Sequence, residues 1–162
     1  MLFIILCCSM TGGLMAMNLS GRVAAIEGSA ALLGQLSDRL KYLQPSMFSL
    51  MDSVASTQQF ERLGYPAKCR ELMRAGLSFP ESWRQALREV PGRLGPQETQ
   101  ALLALADILG CADLDSQLSA LDYTAKLLES RLGAAREYEQ KYAKLYRTLG
   151  VLGGVAIAII II

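Results

Sequence analysis

The chain has 162 residues, 16 basic and 15 acidic side chains, a formal net charge of +1 and no histidine. Its length suits one ordinary domain, and its near-neutral charge is unlike the strongly basic face of a nucleic-acid binder. The lack of histidine excludes Ser-His-Asp and Cys-His catalysis and every His-based zinc site. A mean hydropathy of +0.28 is apolar for a soluble domain. The excess sits at the ends, because every charged side chain lies between Arg22 and Arg147.

Residues 1–20 form an uncharged apolar segment, predicted as an N-terminal transmembrane helix. Nineteen residues of helix span roughly 28 Å, close to the ~30 Å hydrocarbon core. A cleaved signal peptide is the rival, but no Lys or Arg precedes Arg22 and Leu14-Met15-Ala16 is a poor cleavage site. Cys7 follows Leu6 rather than the small residue a lipoprotein signal wants. Gly12 and Ala16 are spaced small-x-x-x-small, a pattern that lets helices approach closely in lipid.

From Arg22 to about Leu43, Val23, Ile26, Ala30, Leu33, Leu36 and Leu40 recur at helical spacing, and Pro45 ends the helix. A second helix is predicted from Met47 to Thr57 with Met47, Leu50, Met51 and Val54 on one face. Gly64 breaks the pattern, Pro66 fits the first turn of a third helix reaching Met73, and Gly76 fits the residue just past its end. Ser78-Phe79-Pro80-Glu81 matches a capping box opening a fourth helix, Pro80 to Val90, which carries Trp83 and Leu87 on one face. Residues 91–95 are a loop, Pro96 opens a fifth helix and Gly110 closes it.

Asp113 is a good N-cap for a sixth and longest helix, with Asp115 in its first turn. Leu114, Leu118, Leu121, Ala125, Leu128, Leu132 and Ala135 follow heptad spacing before the step slips at Tyr138, Tyr142 and Leu145. About three repeats favour packing within a bundle over a dimeric coiled coil. No proline interrupts the run into residues 147–162, predicted as a C-terminal transmembrane segment. From Thr148 it spans only roughly 22 Å, short for a bilayer, so Tyr146 and Arg147 are assigned to the interface. Gly150 and Gly154 form G-x-x-x-G inside it.

The basic residues nearest the spans, Arg22, Arg39 and Lys41 after the first and Lys141, Lys144 and Arg147 before the second, all lie on the inner sides. The expected topology therefore puts the helical domain, residues 21–146, in the cytoplasm. The four cysteines show no C-x-x-C spacing and read as free thiols. The fold class expected is all-α: a six-helix bundle-like cytoplasmic domain flanked by two transmembrane helices.

No spacing points to catalysis, a cofactor or a metal. Asp113 with Asp115 and Glu137 with Glu139 stand two apart on helices and do not face each other. No G-x-x-x-x-G-K-[ST] loop occurs, so the chain does not look like an ATPase.

The string Tyr146-Arg147-Thr148-Leu149-Gly150-Val151-Leu152-Gly153-Gly154 with its Ile-rich tail resembles the C-terminus of the stage III sporulation protein AB family of spore-forming Firmicutes. Leu109-Gly110-Cys111-Ala112-Asp113 followed by Gln117 resembles that family's Leu-Gly-x-x-Asp-x-x-x-Gln signature, and Gly76, Ser78, Glu81 and Trp83 its Gly…Glu-x-Trp region. The resemblance implies a sporulation protein of the mother-cell membrane around the forespore, part of the channel complex joining the two compartments. It also implies a cytoplasmic domain similar to type II secretion F and type IV pilus C platform proteins, engaging an ATPase like stage III sporulation protein AA and other membrane subunits of the channel.

Within these motifs Gly110 is expected to end a helix and Asp113 to cap the next. Gln117 has two roles open to it: bonding back to the interhelical turn, which is preferred, or contact with the ATPase. Trp83 is expected as a core anchor, with an exposed contact as the alternative. The function expected is a non-enzymatic membrane platform. Its alternatives are a small membrane-perturbing protein or a passive scaffold with no ATPase partner, and, least favoured, a membrane-anchored modifying enzyme.

Overall fold

The computed structural model describes the backbone of residues 2–43 and 46–161, and the side chains of residues 20–43, 46–142 and 148. Six α-helices follow in chain order: α1 (Leu2–Leu43), α2 (Met47–Ala55), α3 (Tyr65–Arg74), α4 (Phe79–Glu89), α5 (Pro96–Ala104) and α6 (Leu114–Ile161). Two 3₁₀ segments, Gln58–Leu63 and Leu105–Asp107, join them. Among the described residues there is no strand.

Among the described residues no helix is long and apolar enough to cross a membrane. The candidate spans 1–20 and 147–162 lie outside the described side chains, Ser20 and Thr148 apart, and so do Gly12, Ala16, Gly150 and Gly154. The backbone is helical through both segments, as 42 unbroken residues of α1 and 48 of α6.

The chain resolves into two compact units, one of residues 25–131 and one of residues 1–24 with 132–162. In the second, the Ser20 hydroxyl of α1 donates to the Glu139 carboxylate of α6, and Tyr138 stacks on Tyr142 with ring centroids 4.2 Å apart.

The core of the larger unit is built as the helical periodicity requires. Ile26, Leu33, Leu36 and Leu40 of α1 are buried, as are Leu50, Met51 and Val54 of α2. Trp83 is fully buried at the centre, edge-on to Tyr65 at 5.5 Å and tilted against Phe79 at 5.7 Å. Its indole N–H donates to the Leu102 carbonyl at 2.7 Å, so burial leaves its polar atom paired. The Tyr65 hydroxyl is buried against Ser29 at 3.1 Å. Burial raises the Tyr65 hydroxyl pKa above its ordinary value and pushes the Cys69 thiol up to about 12.

The helix ends follow local chemistry. Leu77 N–H returns to Leu72 O at 3.2 Å and Gly76 N–H to Met73 O at 3.1 Å, with Gly76 at φ +99, so α3 ends in a Schellman motif. The capping box at α4 forms, with Glu81 accepting from the Ser78 hydroxyl at 2.7 Å and its N–H at 3.3 Å.

Three local readings differ from the structure. The second helix ends at Ala55 rather than Thr57, because the chain tightens into the 3₁₀ segment. There Phe60 and Leu63, three residues apart, bury on one edge, as the eclipsed i,i+3 geometry of a 3₁₀ turn allows. The fifth helix stops at Ala104, and Leu105 and Ala106 reach the core from a 3₁₀ turn. Along α6, Leu121, Leu128 and Leu132 are buried, whereas Leu114 and Leu118 are half-exposed and Thr124 is buried.

Candidate functional site

The residues singled out in the sequence gather around the turn that joins α5 to α6. Leu109 is buried and its N–H bonds to Leu105 O at 2.9 Å. Gly110 follows at φ +82, the left-handed region that favours glycine. A Cβ there would come within 3.2 Å of Met47 Cγ and 3.9 Å of Phe79 Cδ1, so Gly110 lets the starts of α2 and α4 close onto the turn.

Asp113 caps α6. Its carboxylate accepts from Ser116 N–H at 3.1 Å, and the Ser116 hydroxyl together with that N–H holds its carboxyl below the usual range. Gln117 lies one turn on and clamps the loop with both ends of its amide. Its Oε1 accepts from Gly110 N–H at 3.2 Å, and its Nε2 donates to Ala112 O at 2.7 Å. Gly110, Asp113 and Gln117 therefore form one hydrogen-bonded turn.

Glu81 and Gly76 sit on the neighbouring turn, linked to Gly110 through Phe79. The Ser78 hydroxyl and N–H lower the Glu81 pKa, so that carboxylate is committed to its cap. Trp83 presents no surface.

The same end of this unit carries residues that the sequence reading left among ordinary helix positions. Tyr42 is 75% exposed, Leu43 70% and Phe48 43%. They flank the α1–α2 junction, and Met47 at the start of α2 approaches Gly110. Lys41 stands 5.6 Å from the Tyr42 ring. The available signal was the uncharged stretch Tyr42 to Leu50 around Pro45, which gathers Tyr42, Leu43, Met47, Phe48 and Leu50 at one helix corner.

A second apolar feature is a shallow groove of about 450 Å³ between α5 and α6, lined by Ala101, Ala104, Ile108, Ala120, Tyr123 and Leu127. On the outer face of α4, Arg84 pairs with Asp107, and Arg88 is exposed. Among the described residues, no group of three or more His, Cys, Asp or Glu is placed to hold a metal.

The whole chain, residues 1–162, matches the sequence model of stage III sporulation protein AB. The chain belongs to that family. A solved structure described as "Stage III sporulation protein AB" superposes with a TM-score of 0.61 at 20% identity, covering 75% of this chain and 98% of that one. That likeness is one of fold. No curated protein sequence matches the chain. Family membership supports a role in sporulation.

Proposed function

We propose that the chain is a non-enzymatic membrane platform of the sporulation channel between mother cell and forespore. In this reading residues 1–20 and 147–162 span the mother-cell membrane around the forespore, and the helical domain between them lies in the cytoplasm. That domain engages a secretion-type ATPase resembling stage III sporulation protein AA, while the membrane segments meet other channel subunits. The observation that carries the reading is the pair of long helices. Both α1 and α6 continue, without a break, from the compact unit of residues 25–131 into terminal runs, 2–20 and 148–161, that hold no charged side chain. Two uncovered apolar ends on one small domain would aggregate in water.

Family membership supplies the sporulation context, and the lack of a nucleotide-binding loop in the sequence makes a separate ATPase the motor. Nothing in the reading calls for nucleic acid. The test joins topology to partnership. In sporulating cells the chain should resist alkaline extraction from membranes, its middle should be cut only by protease on the cytoplasmic side, and the ATPase should co-purify with it. A protected middle domain rejects the topology. A deletion strain that sporulates normally rejects the function.

A further inference from the structure

Polar groups fasten the seam between α5 and α6 at both ends, and its middle is loosely filled. At one end the Gln117 amide closes the turn that joins the two helices. At the other, Arg131 of α6 reaches the first turn of α5. Its Nη1 donates to Gln97 Oε1 at 2.8 Å and stands 4.0 Å from Glu98 Oε1. The two helices therefore run antiparallel. Between the fastened ends lies the shallow groove of about 450 Å³, edged by Ala101, Ala104, Ala120 and Leu127.

Glu98 is only 2% exposed, whereas the Arg131 side chain is 29% exposed. Burying a carboxylate is costly, and its counter-charge often does no more than offset that cost. Such a pair is weak ground for stability, and its best-attested use is to select one alignment of the packed helices. We infer that Glu98 and Arg131 form a register key, which selects the observed alignment of α6 on α5 over one displaced by seven residues.

The apolar pattern of α6 leaves that choice open. Leu114, Leu118, Leu121, Ala125 and Leu128 repeat at heptad spacing. Shifted by seven residues, Leu114, Leu118 and Leu121 take the places of Leu121, Ala125 and Leu128, so apolar still follows apolar. Leu114 and Leu118, half-exposed as they stand, would gain cover. Gln117 takes the place of Thr124, polar for polar. Interdigitating side chains pin a register, but along the groove small alanines give the facing helix little to lock into. The turn can supply the movement. Six residues, 108–113, reach about 20 Å when extended, and seven residues of helix rise about 10 Å.

At Glu98 the two alignments part. The place of Arg131 falls to Thr124, and the buried carboxylate loses that positive charge. Gln97 sharpens the selection, because it holds the guanidinium at the first turn of α5.

Double electron–electron resonance on the full chain in detergent micelles tests the key. Nitroxides are coupled to p-acetylphenylalanine at positions 107 and 130, both exposed and near opposite ends of the seam. Gln117→Ala is carried throughout, so that the turn is free to open. With the pair intact, one distance is expected. Adding Glu98→Leu and Arg131→Leu should bring in a second distance, longer by up to about 10 Å, in a chain that keeps its helical circular dichroism. Arg131→Lys, which retains a positive charge there, should keep the single distance. A single distance in the apolar pair variant overturns the inference, because packing alone then sets the register. Loss of its helical signal overturns it too, since the pair would then hold the fold rather than choose the alignment. Two distances with the pair intact, or with Arg131→Lys, also overturn it.

Discussion

Two neighbouring regions at one pole of the larger unit use their side chains in opposite ways. In the Gly110–Gln117 turn, the glycine makes room, the aspartate caps α6 and the glutamine closes the loop from both ends of its amide. In the corner from Tyr42 to Phe48, aromatic and aliphatic side chains face water. The motif residues of the turn thus shape the fold, and the corner beside them leaves apolar surface uncovered.

Substitutions should separate these regions by their effect on stability. The largest effect is expected at Trp83, which underlies both. Trp83→Ala leaves a cavity among Tyr65, Phe79 and Leu102 and should cost about 3–5 kcal/mol in chemical denaturation. Gly110→Ala comes next. The left-handed backbone and the approach of Met47 should together cost about 1–3 kcal/mol.

Gln117→Ala removes both bonds of the clamp and should cost about 1–2 kcal/mol. Tyr42→Ser should change stability by less than about 0.5 kcal/mol, since that side chain is mostly exposed and does not anchor the core. A corner substitution that destabilised the unit as much as Gly110→Ala would erase the distinction.

Acid should expose the turn chemistry. The Asp113 and Glu81 carboxyls are lowered by hydrogen bonds from Ser116 and Ser78. Their stabilisation is therefore present above the unfolded-state pKa values and is lost as pH falls through the lower folded-state values. Thermal unfolding should shift downward on the acid side of the ordinary carboxylate range, and Asp113→Asn should flatten part of that slope.

Much of the fold was legible because proline, glycine and capping residues punctuate a strong helical period. Pro66, Pro96 and Gly76 mark breaks that the backbone respects, α1 ends at Leu43 as expected, and Ser78 with Glu81 forms the expected box. The two 3₁₀ segments were not legible, since six and three residues are too few to show a period. Heptad spacing overstated the burial of Leu114 and Leu118, which lie in the first turns of α6 beside the 108–113 turn, where cover is incomplete. Of the candidate site, the structural bonds of Asp113 and Gln117 followed from their spacing across a turn. The Tyr42–Phe48 corner did not, because periodicity assigns apolar residues to a face without saying where the neighbouring helix stops covering it.

The most direct test measures ATPase recovery on the full-length chain, unaltered and as Gln117→Ala, extracted from sporulating-cell membranes. The account predicts that the ATPase co-purifies with the unaltered chain and that Gln117→Ala, whose side chain only closes the turn, retains it in proportion to the folded chain. Absence of the ATPase from the unaltered chain, or its loss from the folded Gln117→Ala chain, would contradict it.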